Sequence, residues 1–372
     1  VAAAGTGEDP AGRTGHGAVR GEHGTGLDPV LERRLRRPPP VGTQRWVAHA
    51  VAGPDAEVVG VAALVGGISS AVHRLDVADG RVTVSRDRAH LRDPAYRRDP
   101  AWRPDPAVGR DPTRRRGGLG AQLSVVVRRF VLARWPADEP DAARRESVAL
   151  RLAAGADVAT PALLAVDPDG VATDVPTVVM SRLDGRHEWH PGVLDAWLDG
   201  LASALPPIHD VAVPAGSLPG YAPYPLDATR PPAWSGRPDV WERGVEAVRS
   251  RAGGGPARRR AAGPAGRLVH RDFHPGNVLW RRGRVSGVVD WVNASVGDAY
   301  ADVGHCRWNL LALGPDVPDR FLARWAAHAG RSAADYDRWW DLAGLLGGVD
   351  DAGMDRFTPR HEEWIRQALS HL

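Results

Sequence analysis

The stretch LVHRDFHPGNVLW, residues 268–280, crowds His270, Asp272, His274 and Asn277 between apolar flanks. Three kinds of structure accommodate that pattern: a metal site, a catalytic loop, or a polar turn between two strands. A zinc site would place His270 and His274 on one helical face. Pro275 and Gly276 follow at once, the flanks are apolar or β-branched, and no cysteine cluster lies nearby, so the pattern disfavours both the helix and the zinc. A loop between strands explains the spacing better. Asp272 at a strand end can face a cleft, and Asn277 can send its amide oxygen into the same space. Further on, VVDW ends another strand and brings Asp290 there as well. Two carboxylates and an amide suit a hard, oxygen-seeking cation such as Mg2+, and a third acidic group is then free to orient a hydroxyl nucleophile. Those are the parts of phosphoryl transfer, where positioning and charge neutralisation supply most of the catalysis.

Around that centre the chain divides by pattern. Residues 1–40 are rich in Gly, Ala, Arg and Pro without apolar periodicity, and read as a disordered tail. Residues 41–181 read mainly as sheet plus one helix, interrupted by a low-complexity insertion at 80–120. Inside it Asp93, Asp99, Asp105 and Asp111 each precede a proline, a repeat too short and polar to bury a face. EVVGVAALVGGISSAVHRLDV reads as strand, Gly-Gly turn, strand; LSVVVRRFVL, ALLAVD and PTVVMSRL read as further strands. EPDAARRESVALRLAAGADV reads as the helix between them. Residues 182–372 are mostly helical in pattern, with Trp308, Trp325, Trp339, Trp340 and Trp364 as expected core anchors. GVLDAWLDGLASALPPIHDV reads as a helix that prolines end. The fold class is therefore α+β, a small β-rich lobe followed by a larger, mainly helical one.

Composition acts mainly by exclusion. The 48 basic side chains are all Arg, so any task usually given to Lys falls to a planar, permanently charged guanidinium. A net charge of +3 argues against a dedicated nucleic-acid binder. Cys306 is the single cysteine, which forbids an intrachain disulfide and fits a reducing cytoplasm. No apolar run approaches the roughly 20 residues of a membrane span. A cytoplasmic monomer with neither a nucleic-acid nor a membrane partner is expected.

The segments HRDFHPGNVLW, GVVDW and GDAYADVGH, taken together, resemble the aminoglycoside phosphotransferase and choline kinase branch of the protein-kinase-like superfamily. The resemblance covers about residues 57–345, apart from the insertion, and implies a bilobal fold. It implies Asp272 as catalytic base, Asn277 and Asp290 as Mg2+ ligands, and His270 as support for the loop. Asp302 would hold that loop from behind, with a helix N-cap as its plain alternative. Gly66, Gly67, Ser69 and Ser70 would form a turn over the phosphates of ATP or GTP. Arg128 would take the place of the strand lysine, paired with Glu146, while alternation sends Arg129 to the other face. Met180 and Ser181 fall at the hinge, where backbone groups would hold the base.

HRD departs from the HGD common in this branch, yet VVDW lacks a following Gly and no APE-like element appears. The resemblance thus favours a small-molecule hydroxyl acceptor over a protein. Asp350, Asp351, Asp355, Glu362 and Glu363 would suit a cationic acceptor, or else form a solvated helix face. The competing reading is a catalytically silent, kinase-like nucleotide-binding protein.

Overall fold

The computed structural model describes residues 29–64, 69–78, 122–133, 137, 139–227, 229–252, 266–348 and 357–372. Gly66, Gly67, the Asp-Pro repeat, Asp350, Asp351 and Asp355 lie outside the described residues.

Five strands form the small lobe's antiparallel sheet: β1 (Glu57–Ala63), β2 (Ala71–Ala78), β3 (Gln122–Arg129), β4 (Leu163–Asp167) and β5 (Thr177–Ser181). Their order across the sheet is β1-β2-β3-β5-β4. Alternation along β3 divides its side chains. Val125 and Val127 pack with Val179 on one face, where helix α2 (Val41–Ala52) adds Val47 and Ala48. The opposite face presents Val178 and Met180 to helix α3 (Ala142–Ala153) through Leu150. That division places Arg128 on the α3 side and Arg129 on the α2 side, where Arg129 pairs with Asp174 at 2.8 Å.

The expected tail at residues 1–40 is corrected from Pro29 onward. Pro29–Arg36 forms helix α1, with Leu35 buried at one face. Arg34 Nη2 donates to Val131 O at 2.6 Å, which ties the helix to the chain just past the central strand β3. Its arginine-rich sequence conceals a single apolar contact face, Leu31 and Leu35, which sit at helical spacing. Among the described residues the small lobe therefore carries helices α1 and α2 in addition to the one the pattern gave.

In the large lobe, α4 (Leu194–Ser203) ends as expected, but Pro206 then starts a one-turn helix, α5 (Pro206–His209), rather than simply stopping the first. Strand β6 (Ala212–Val213) and helix α6 (Pro238–Ala252) follow. Strand β7 (Gly266–Val269) lies between β6 and β10 (Ser295–Gly297), while β8 (Val278–Arg281) and β9 (Arg284–Val288) form a separate hairpin. Helices α7 (Tyr300–Leu310), α8 (Val317–His328), α9 (Trp339–Leu346) and α10 (Pro359–Leu369) close the lobe. All five expected tryptophan anchors are buried in its core. Helices α7 and α9 cross closely: a Cβ on Gly304 would lie 2.4 Å from Trp340 O. That crossing sets α7 directly behind the 268–280 stretch. Among the described residues no helix is long and apolar enough to cross a membrane.

Candidate active site

The loop between β7 and β8 is held from behind by one buried carboxylate. Asp302, in the first turn of α7, accepts from the backbone N–H of His270 at 2.9 Å and from that of Arg271. His209 Nε2, at the end of α5, lies 2.9 Å from the same carboxylate. Burial opposes its charge, but the His209 contact and the loop amides hold the Asp302 carboxyl below the usual range. The N-cap position of α7 belongs to Ala299, so the capping alternative for Asp302 does not apply. Arg271 has φ 67°, a left-handed conformation uncommon for an L side chain, and its bond to Asp302 stabilises that geometry. His270 is fully buried, packs 4.6 Å from the Trp291 ring and meets Val289 O through Nε2 at 2.9 Å. The two histidines of the i, i+4 pair thus do not converge. His274 instead accepts from Gly276 N–H through Nδ1 at 3.1 Å, closing the tight turn.

Asp272 emerges from this framework with its side chain 26% exposed. Asn277 Nδ2 donates to Asp272 O at 2.8 Å and lies 3.3 Å from Oδ2. The amide nitrogen is committed there, which aims the amide oxygen elsewhere. His305 Nε2 meets Asp272 Oδ1 at 3.0 Å, and His274 Nε2 stands 3.8 Å from the same oxygen. Burial works against ionisation of Asp272, but the His305 hydrogen bond and the neighbouring histidines hold its carboxyl far below the usual range. Burial also lowers His274, to about 4, against the pull of Asp272.

Asp290 stands just beyond β9 with φ 69° and its side chain 27% exposed. Val289 N–H donates to Asn277 O at 2.9 Å, so the backbone itself fastens the Asp290 turn to the Asn277 turn. From the small lobe, Arg128 Nη2 reaches Asp290 Oδ1 at 2.8 Å, and Nε lies 3.1 Å from Glu146 Oε1 on α3. Burial pushes the Glu146 carboxyl up to about 7, although Arg128 opposes the shift. Arg128, Glu146, Asp290, Asn277 and Asp272 therefore form one connected line across the cleft between the lobes.

The remaining sequence-derived positions fall less simply. Ser70 is buried and accepts from Arg128 Nη1 at 3.1 Å, so it supports the cation rather than standing at the cleft surface. Ser69 opens the described segment just before it. Met180 is buried against the α3 side of the sheet. The Ser181 N–H donates to Ala162 O at 2.8 Å and its Oγ accepts from Ala162 N–H at 2.9 Å, which ties the end of β5 to the residue preceding β4. Glu362 accepts from Trp241 Nε1 at 2.9 Å and from Ser235, and Glu363 pairs with Arg366. Both carboxylates have intramolecular partners, which weakens the reading of them as a cation-binding surface.

Three further side chains stand at the site, and two of them, His209 and Trp189, carry no local sequence signal. His209 approaches Asp302 from 93 residues away. Trp189, more than a third exposed, lies 5.9 Å from the His274 ring and beside Gly276, where a Cβ would come within 3.1 Å of the indole. His305 had a readable cue: it follows Asp302 by three residues on a helix and so shares its face.

A sequence model of the phosphotransferase enzyme family (APH) matches residues 109–342. No curated protein matches the chain. Among solved structures, a thermostable mutant of aminoglycoside phosphotransferase APH(4)-Ia, in a ternary complex with ADP and hygromycin B, is 14% identical, covering 88% of this chain and 97% of that one with a TM-score of 0.52. Aminoglycoside phosphotransferase APH(4)-Ia itself is 16% identical, covering 84% and 93%, with a TM-score of 0.50. Macrolide 2'-phosphotransferase MphH from Brachybacterium faecium is 19% identical, covering 60% and 77%, with a TM-score of 0.38. At such identities the first two likenesses speak to the fold, which is α+β and protein-kinase-like. With the family match spanning more than half of its length, the chain belongs to the phosphotransferase enzyme family.

Proposed function

We propose that the chain moves the terminal phosphate of ATP or GTP to a hydroxyl of a small molecule. The observation that carries this reading is the convergence of Asp272, Asn277 and Asp290, with Arg128 entering the same space from the other lobe. Asp272 is held ionised and partly exposed, as a group that takes or orients a hydroxyl proton must be. Arg128 presents a guanidinium where the negative charge of a triphosphate would gather. The base would lie against the backbone near Met180 and Ser181. Mg2+ fits the donor set, since an amide oxygen from Asn277 and the carboxylate of Asp290 are hard ligands; bound there, the ion would neutralise charge on the transferring group.

The neighbour solved with hygromycin B makes aminoglycosides a reasonable first acceptor class to try. Transfer of labelled terminal phosphate from Mg·ATP or Mg·GTP to a panel of aminoglycosides, macrolides and amino alcohols tests the function. Asp272→Ala should lower the rate by about 10²- to 10⁴-fold. Undiminished transfer by that variant would refute the role given to Asp272.

One observation favours the silent alternative. Arg128 already pairs with Asp290, so a candidate metal ligand is neutralised by the phosphate-facing cation. A thermal shift with Mg·ATP or Mg·GTP, unaccompanied by turnover on every acceptor, would support that second reading. Nucleotide at 100 times its dissociation constant should add about 2.7 kcal/mol of stability under either.

A further inference from the structure

We propose that His305 is a positioning residue for Asp272: by fixing one carboxylate oxygen, it dedicates the other to the acceptor. The proposal rests on the phosphotransferase reading above and extends it to a residue outside the motif. A carboxylate has two equivalent oxygens and turns about its Cα–Cβ and Cβ–Cγ bonds, so a free one samples many directions. Asp272 is held unequally on its two sides. His305 Nε2 lies 3.0 Å from Oδ1, whereas the Asn277 amide is 3.3 Å from Oδ2 and makes its better bond, 2.8 Å, to the backbone carbonyl. His274 Nε2, at 3.8 Å from Oδ1, is beyond hydrogen-bonding distance. Of the side-chain contacts described at this carboxylate, the His305 one is the shortest, ahead of the 3.3 Å Asn277 amide and the 3.8 Å His274 ring.

The ring is itself well held. It is buried, edge-on to Trp308 at 5.7 Å and tilted 6.4 Å from Tyr224. Tyr224 in turn lies under the Arg271 guanidinium at 4.1 Å. The same helix supplies Asp302, three residues earlier, which anchors the loop backbone. One face of α7 thus sets both the main chain of the loop and the direction of its reactive side chain. A carboxylate partner requires a donor, so Nε2 carries a hydrogen. Oδ2 is left as the oxygen that faces an incoming hydroxyl. Without His305 the carboxylate is free to swing toward His274 or Arg128, and a displacement of about 1 Å can cost on the order of 10²-fold in rate.

The test uses the full chain and hydrolysis of Mg·ATP and Mg·GTP, in which water stands in for the acceptor. His305→Ala should lower kcat by about 10- to 100-fold with KM for the nucleotide unchanged. His305→Gln, whose amide N–H reaches nearly where Nε2 sits, should recover most of that loss. In an Asp272→Ala background, His305→Ala should add nothing, because its target is gone. Thermal melts of each variant verify folding, and the Gln variant carries the comparison if the Ala variant is unstable. Equal kcat in His305→Ala and wild type overturns the proposal while leaving the phosphotransferase reading intact. So does an equal fall in the Gln and Ala variants, or a fall that persists in the Asp272→Ala background. A wild-type chain that turns over neither nucleotide, with or without acceptors, overturns the phosphotransferase reading and the proposal together.

Discussion

Two buried arginines organise this molecule, and they are built to different standards. Arg307 lies inside the helical lobe, where every nitrogen of its guanidinium donates. Nε bonds Asp341 Oδ1 at 2.8 Å, Nη1 bonds Pro318 O at 2.8 Å, and Nη2 bonds Asp319 Oδ1 at 3.0 Å. The Tyr336 and Trp364 rings lie 4.9 and 5.1 Å from it. Arg128 is buried too, and it also faces two carboxylates, Glu146 and Asp290. Yet its Nε and both Glu146 oxygens lack an aligned hydrogen bond, despite their closeness. A saturated guanidinium fastens one packing arrangement. The unsaturated one has its Nε sealed against Glu146 while Nη1 and Nη2 reach Ser70 and Asp290, so its ion pairs are less completely bonded. Burial alone does not separate these two cations; hydrogen-bond saturation does.

Substitution of each arginine by Met should separate the two. Arg307→Met leaves Asp341 buried beside only Tyr336 and Arg338. It should cost about 3–5 kcal/mol of stability in urea denaturation, while turnover per folded molecule stays at the wild-type level. Arg128→Met should do the reverse. Its stability loss should be smaller, because Glu146 can take up a proton once its cation is gone. Its phosphate transfer should fall by about 10²- to 10³-fold, the scale for losing a charge-stabilising donor at the reacting group. Loss of activity in folded Arg307→Met, or full activity in Arg128→Met, would break the comparison.

The same contrast explains what was legible in the sequence. HRDFHPGN and VVDW mark loops whose residues meet because they are close in the chain, and the structure brings Asp272 and Asn277 within 3.3 Å. Arg128 was legible through strand alternation, since Arg129 faces away toward Asp174. The supports are not local. His209 and Asp302 are 93 residues apart, and Arg307 meets Asp341 across 34. No periodicity in either segment announces such partners. Helix α1 was hidden because one Leu pair among arginines supplies its contact, too little for a periodic signal. At the end of β5 the link runs through backbone groups, and the backbone half of the Ser181–Ala162 pairing leaves no mark in side-chain type.

Glu146 sharpens the comparison most finely, because its lack of hydrogen bonds has a thermodynamic signature. Burial raises its carboxyl from an ordinary 4.5 to about 7 in the folded chain, with Arg128 only partly offsetting the effect. Between those values the folded state holds a proton that the unfolded state has released. The stability from this group is therefore complete below about pH 4.5 and lost as pH rises through 7. At one pKa unit per 1.36 kcal/mol, the change over that window is up to about 3 kcal/mol. Glu146→Gln removes the titration and should flatten this part of the stability profile in urea denaturation from pH 4.5 to 7.5. If the slope survives unchanged in that variant, Glu146 is already satisfied as an anion. Arg128 would then be as saturated as Arg307, and the distinction between the two cations would fail.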